Sequence, residues 1–384
     1  MENIDLSREE VLRYSRHLMI PEVGLEGQRK LKAASVLLVG SGGLGSPIAL
    51  YLAAAGVGHI RMVDYDVVDS TNLQRQVIHS TSRLGALKVE SARQQMLDLN
   101  PYIQVDAVND ILTAQNAAQL ADDCDILVDG SDNFPTRYLL NDLAVLTGKP
   151  YVYGSIFRFE GQVSVFDARH GPCYRCLFPE PPPPGLVPSC AEGGVFGVLP
   201  GTIGTLQATE VIKLILGVGE PMIGKLLLYD ALDTSFQTVK LRKNPACKVC
   251  GEAPTVTQLI DYEAFCGVPA RDDHHHAATP WDTSPIEVNA LMKMKEAPIL
   301  IDVREPVEQQ ISTLPGALSL PLGQLSQHLK ELDPAREYVL FCRTGVRSMQ
   351  ALQIMLSGGF SHVHHLQGGI NAWGQTIDPT MLQY

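Results

Sequence analysis

The sequence lacks any run of about 18 consecutive apolar residues, so no membrane-spanning helix is expected. Its opening stretch, MENIDLSREEVLRYSRH, is charged and helix-like and lacks the apolar centre of an export signal, which points to a cytoplasmic protein. Positive charge is not in excess either. Against 42 Asp and Glu stand 30 Lys and Arg, a formal net charge of −12, so neither nucleic acid nor an anionic membrane is expected as a partner. No internal repeat is apparent. Nor does the pattern favour a disulfide framework, because the eight cysteines are scattered through 384 residues and four of them form two C-x-x-C pairs. That spacing favours metal or thiol chemistry in a reducing compartment.

What remains is globular. With 45% hydrophobic and 19% charged residues, the chain can bury sizeable cores, and its length suggests two or three domains at about 150 residues each. Residues 1–35 read as helices. From Ser35, SVLLVGSGGLGSPIALYLAAAGVGHIRMVDYD reads as strand, glycine turn, helix and strand, a βαβ unit. IQVDAVN, CDILVDGSDN and PYVYGSIF follow as strands. Near residue 160 the texture turns antiparallel, with EGQVSVFD and later GKLLLYDALDTSFQTVKL. A proline-rich crossover, PEPPPPGLVPSC, lies between these two stretches. Residues 1–253 thus form one α/β domain, Rossmann-like with a mixed sheet. Residues 254–285 read as a polar, proline-bounded linker, and His274, His275 and His276 read as linker residues rather than metal ligands. A second, smaller α/β domain, 286–384, contains the strands of APILIDVRE and AREYVLFCRTGVRS and closes with HVHHLQGGINAW.

Gly40, Gly42 and Gly45 form G-x-G-x-x-G directly after a strand, where backbone N–H groups and a helix N-terminus can meet phosphate. Asp64 ends the next strand, placed for ribose hydroxyls. This much fits NAD, FAD or ATP equally. Asn72, Arg75, Gln76, Lys88 and the Asp132–Asn133 turn narrow the choice. A hydride-transfer site has no need of basic residues aimed at phosphate, whereas an adenylating site does, and Asp132 could hold Mg²⁺ there. Salt bridges at the surface are the structural alternative for Arg75 and Lys88.

In RYSRH, GSGGLGS, VDYDVVDSTNLQRQ, GALKVESA, DGSDN, CYRCLFPE, CAEGGVFGVLPG and CKVCG, residues 13–251 resemble the ubiquitin-activating-like adenylyltransferases that serve molybdopterin and thiamine sulfur carriers. The resemblance implies that Gly43, Asp64, Asn72, Arg75, Lys88 and Asp132 surround ATP and Mg²⁺. It implies that Arg16 reaches the nucleotide of a partner subunit in a homodimer. The substrate would be a ubiquitin-like carrier ending in Gly-Gly, whose carboxylate attacks the α-phosphate.

Cys173 with Cys176 and Cys247 with Cys250 can supply four thiolates to a structural Zn²⁺, with a redox pair as the alternative. Cys190 lies in the crossover. By resemblance it is a candidate for a thioester or a persulfide-linked intermediate, and its role stays open. Cys124 and Cys266 read as buried, inert thiols. Cys342 ends a strand and opens CRTGVRS, where backbone N–H groups with Arg343 and Arg347 would stabilise a thiolate or persulfide. That loop, with ILIDVRE, LPGALSLPL and LQGGINAW, resembles a rhodanese over 286–374. Phosphatases of related fold place Arg where this chain has Ser348, so the loop favours sulfane sulfur over phosphate. One departure is Thr313, where rhodaneses commonly carry His; it bears on local packing.

The two halves together imply adenylation of the carrier's terminal glycine followed by sulfur transfer from a Cys342 persulfide. The donor would be a desulfurase persulfide or thiosulfate. Two other enzymes fit parts of the pattern. One is a thioester-forming conjugation enzyme with the modifier on Cys190, and the other an NAD(P)-dependent oxidoreductase with an accessory domain. A non-catalytic scaffold would need both sites silent.

Overall fold

The computed structural model describes residues 5–183, 193–267 and 279–384. Cys190 and His274–His276 lie outside them. The chain divides into two units, Met1–Ala270 and Arg271–Tyr384.

The first unit opens with Arg8–Arg13 (α1), Ser15–Leu18 (α2) and Gly24–Ala33 (α3). Ser7 and Glu10 form a reciprocal capping box at the start of α1. Ser35–Val39 (β1) is apolar without alternation and buried throughout, as a parallel strand covered on both faces should be. The glycine turn leads into Gly45–Ala55 (α4), and His59–Val63 (β2) follows. Lys88–Leu99 (α5), Gln104–Val108 (β3), Ala117–Ala121 (α6) and Ile126–Asp129 (β4) continue the alternation. Asn133 caps Phe134–Thr147 (α7), which leads to Tyr151–Phe157 (β5). Beyond β5 the sheet turns antiparallel through Glu160–Phe166 (β6), Lys225–Asp230 (β7) and Ser235–Lys240 (β8). Tyr174–Leu177 (α8) and the long Leu199–Leu216 (α9) lie between β6 and β7 in the chain.

The strand order is β3-β2-β1-β4-β5-β6-β7-β8, with β1 to β5 parallel. The expected mixed sheet is therefore present. Two cores flank it: Ile48, Leu52, Ile203 and Val211 from α4 and α9 pack with Val36 and Leu38, while Leu37 and Leu127 face Tyr138, Leu140 and Leu143 of α7. The chain reverses direction around β1, and the ends of β1 and β4 open the crevice where such sheets bind ligands.

The expected linker of 254–285 is too wide at both ends. Tyr262–Cys266 (α10) is capped by Asp261 and packs on α7, with the Tyr262 hydroxyl donating to Asp142 Oδ2 at 2.9 Å. Asp142 also pairs with the buried Arg175. Five residues are too few to show a periodic apolar face, so only the packing reveals this helix. At the other end, Asp282–Thr283 (β9) belongs to the second sheet.

That sheet is wholly parallel. After β9 come Pro285–Leu291 (α11), Ile299–Asp302 (β10), Pro306–Gln309 (α12), Leu318–Ser319 (β11) and Leu322–His328 (α13). Tyr338–Phe341 (β12), Val346–Ser357 (α14), Val363–Leu366 (β13) and Gly369–Thr376 (α15) complete it. The order β11-β10-β12-β13-β9 puts the fully buried β12 at the centre. Ala351, Leu352 and Met355 of α14 pack on one face, Val288, Ile370 and Trp373 on the other. No helix among the described residues is long and apolar enough to cross a membrane.

Candidate functional site

The glycine turn is built for close backbone approach. Gly40 has φ +93°, and a Cβ there would stand 2.6 Å from the Gly130 carbonyl oxygen. A Cβ on Gly45 would collide with the Gly40 carbonyl. The turn lies between the ends of β1 and β4 and opens into α4, as a phosphate-binding turn must. Asp64, at the end of β2, accepts from the Ser41 amide and hydroxyl at 2.7 and 2.9 Å, and from the Asp66 amide at 2.9 Å. Its carboxylate is thereby held at the rim of the turn.

Gly43 faces Pro200 and the Arg75 side chain. Arg75 donates to Asn72 Oδ1 at 2.8 Å, which brings those two predicted residues together. Gln76 is buried against Gly42, and its Oε1 has no hydrogen-bond partner. Lys88 is buried at the start of α5, with its ammonium 2.7 Å from Asp66 Oδ2. In this structure its charge is met by that carboxylate. Asp132 is exposed just beyond β4, and Asn133 is occupied as the cap of α7. Arg16 is exposed on α2 and hydrogen-bonds with none of these residues.

Sequence reasoning passed over Ser41, Asp66 and His79. His79 joins the Ser41 carbonyl to Ser91, and burial holds its imidazole below the usual pKa. The spacing of Asp66 from Asp64 in VDYDVVD was the one available signal for the lysine's partner. Behind the crevice Asp129 is fully buried; burial raises its pKa although Ser131 and Tyr151 donate to it.

The four cysteines converge from positions 74 residues apart. Sγ–Sγ separations are 3.9 Å for Cys173–Cys176, 3.6 Å for Cys173–Cys247 and 3.4 Å for Cys176–Cys250, and all four sulfurs lie within 4.8 Å of one another. Thiolates about 2.3 Å from a tetrahedral ion stand roughly 3.8 Å apart, so the set fits a metal ion such as zinc. The Asn244 amide donates to Cys176 at 3.4 Å. Cys124 and Cys266 are buried as expected, and burial pushes the Cys266 thiol up to about 11.

In the second unit Cys342 follows β12 and is almost fully buried. The Gly345 amide donates to its sulfur at 3.1 Å, and Gly345 adopts φ +105° as it starts α14. The N-terminus of a 12-residue helix therefore points at the thiol. Gly369 holds the loop from behind: a Cβ there would stand 2.5 Å from the Cys342 and Arg343 carbonyl oxygens, and the Ile370 amide donates to Cys342. Arg347 makes two hydrogen bonds to Glu308, so its charge reaches the loop already paired. Arg343 lies over the Tyr384 ring, 5.7 Å from its centroid. Thr313 donates to Asp302, the partner of the buried Arg304, which gives the departure from the rhodanese pattern a packing role.

A glycine crevice with basic residues at one sheet's switch point, and a cysteine cradled at a helix N-terminus in another, define an enzyme of the adenylyltransferase–sulfurtransferase class. The chain belongs to the ThiF family, matched over residues 14–249, and carries a rhodanese-like domain over 284–376. It is 51% identical to the probable adenylyltransferase/sulfurtransferase MoeZ of Mycobacterium tuberculosis, over 99% of this chain and 96% of that protein. With the adenylyltransferase and sulfurtransferase MOCS3 of Drosophila yakuba it shares 42% identity, over 99% of this chain and 86% of that one. The sulfur carrier protein adenylyltransferase of Thermus thermophilus is 54% identical over 68% of this chain and 98% of its own. Among solved structures, E. coli MccB with MccA-N7isoASN superposes with a TM-score of 0.57 and 25% identity, covering 62% of this chain and 75% of that one.

Proposed function

We propose that the first unit adenylates the C-terminal glycine of a ubiquitin-like sulfur carrier ending in Gly-Gly, and that Cys342 supplies the sulfur that turns it into a thiocarboxylate. The observation that carries this reading is the joining, in one chain, of a phosphate-directed crevice and a cradled thiol. Gly43, Asn72, Arg75 and Lys88 would hold the nucleotide's phosphates, with Asp64 on the ribose and Gln76 supplying its unpaired acceptor. Asp132 would hold Mg²⁺, which neutralises charge as pyrophosphate leaves. Arg75 stabilises that same charge from the turn side.

The terminal sulfur of the Cys342 persulfide attacks the acyl carbon of the adenylate, and AMP leaves with the bonding pair. A thiol, Cys190 or an external one, then attacks the Cys342 sulfur and releases the thiocarboxylate. Housing both sites in one chain raises the effective concentration of the sulfur donor. The sulfur itself would come from a desulfurase persulfide or thiosulfate.

We take the ion held by the four cysteines to be Zn²⁺, closed to catalysis because every ligand is protein sulfur. A homodimer in the cytoplasm, with Arg16 reaching across, fits the exposed Leu12, Met19 and Ile20 beside that arginine. The products would serve molybdopterin synthesis and, through other carriers, thiamine or cysteine. Neither the conjugation reading nor the oxidoreductase reading accounts for the Cys342 loop. The test is ATP–pyrophosphate exchange. Exchange that depends on an added Gly-Gly carrier supports the reading, and exchange absent with every such carrier contradicts it.

A further inference from the structure

Ser348, in the first turn of α14, is fully buried beside Cys342. Its Oγ stands 3.6 Å from Cys342 Sγ, donates to the Gly345 carbonyl at 3.0 Å, and lies 3.4 Å from His365 Nδ1. His365 is buried on β13, and its Nε2 is 2.8 Å from Asp282 Oδ1 on β9. Asp282 also accepts from the Thr279 amide and hydroxyl, at 2.9 and 2.6 Å. Burial alone would raise its pKa, but the hydrogen bonds from Thr279 and His365 outweigh it and keep the carboxyl below its ordinary range. An ionised Asp282 on Nε2 fixes the imidazole tautomer: Nε2 carries the hydrogen and Nδ1 presents a lone pair to Ser348.

We infer that Asp282, His365 and Ser348 form a proton relay that takes the thiol proton from Cys342 and so ionises it for attack on the sulfur donor. Three elements of the second unit, β9, β13 and α14, each contribute one member. A core whose only task was packing would place apolar side chains here and leave no buried polar groups to satisfy. The relay deepens the proposed function and rests on reading Cys342 as the sulfur-carrying thiol.

The step balances with thiosulfate as the donor. The Ser348 hydroxyl first turns from the Gly345 carbonyl to His365 Nδ1; the Cys342 hydrogen then passes to Ser348 Oγ while the serine's own hydrogen moves to Nδ1. The Cys342 thiolate attacks the sulfane sulfur, forming the persulfide bond. The S–S bond of thiosulfate breaks, and sulfite leaves with its electron pair. His365 holds the positive charge against Asp282 until sulfite or solvent takes the proton. Ser348 touches the reacting sulfur and is catalytic in this account; His365 and Asp282 act through it as positioning residues. Asp282 from β9 faces His365 at Nε2, and Cys342 from the end of β12 is reached through Ser348. The single charged residue of α14, Arg347, is bonded to Glu308, and α15 carries no titratable side chain.

The test uses the full chain. The rate of alkylation at Cys342 by iodoacetamide is followed by peptide mass spectrometry from mildly acid to alkaline pH. Wild type is compared with Ser348→Ala and with Asp282→Asn, which keeps the shape and removes the charge. Both variants are expected to react about tenfold or more slowly near neutral pH and to regain the wild-type rate in alkali, where the thiol ionises unaided. A merely structural loss would not recover with pH. Folded variants with an unchanged pH profile would overturn the relay. Sulfur uptake from thiosulfate by wild-type Cys342 is read separately. Shifted profiles without uptake would leave the relay standing and overturn the assignment of Cys342 as sulfur carrier.

Discussion

Arg347 donates two hydrogen bonds to Glu308, at 2.6 and 2.7 Å, and the Tyr384 hydroxyl adds a third to the same carboxylate. The pair ties the first turn of α14, and so the Cys342 loop, to α12. The sequence places Arg347 in the loop that would stabilise a thiolate or persulfide; in the structure its charge is also paired with Glu308.

Removing one partner of a buried ion pair leaves the other uncompensated. Glu308→Ala is therefore expected to lower the unfolding free energy by roughly 3 kcal/mol. Both tryptophans, Trp281 and Trp373, lie in the second unit, so urea unfolding followed by tryptophan fluorescence reports on it directly.

The same pair sets an acid dependence. Burial raises the Glu308 pKa, but the Arg347 hydrogen bonds outweigh it and hold the carboxyl below its ordinary value. A group lowered on folding contributes stability above its unfolded pKa, about 4.3 for Glu, and loses it as pH falls through the folded value. Wild-type stability should fall in that acid window, and Glu308→Gln should fall less steeply there, measured by the same fluorescence.

Arg75→Ala and Asp132→Ala are expected to lower ATP–pyrophosphate exchange by about a hundredfold or more while leaving sulfur loading of Cys342 unchanged. Exchange at the wild-type rate in either variant would show that the crevice residues are misassigned.

Cys342→Ala should do the reverse, retaining exchange and losing protein-bound sulfur, as read by mass spectrometry after incubation with thiosulfate. Buried thiols such as Cys266 should take up none, since burial pushes that thiol's pKa up to about 11.

Cys173→Ser should release the metal and lower the melting temperature, because ligand binding here is part of the folding free energy. Metal analysis and thermal unfolding of the purified variant check this. A metal-free wild type as stable as the metal-bound one would contradict it.

Much of this was readable from local pattern. β1 and β4 announce themselves as short unbroken apolar runs, the glycine turn by its spacing, and the four cysteines by a repeated C-x-x-C whose halves can meet on one ion. The relationships missed are those between distant residues of ordinary type. Glu308 and Arg347 are 39 positions apart, Asp282 and His365 are 83 apart, and neither pair belongs to a spacing rule. Lys88 was read as a phosphate ligand with a surface salt bridge as the alternative; the structure gives it both burial and a partner, Asp66. The five-residue α10 escaped for the same reason, since its one buried face makes sense only against α7 and Asp142.

The central claim is that one chain both activates a carrier's terminal carboxylate and replaces its oxygen with sulfur. The most direct measurement is the intact mass of Gly-Gly carriers after incubation with this protein, Mg·ATP and thiosulfate. The account predicts a mass gain equal to the exchange of one oxygen for sulfur, lost with either Arg75→Ala or Cys342→Ala. Carriers that emerge only as adenylates, or unchanged, would contradict it.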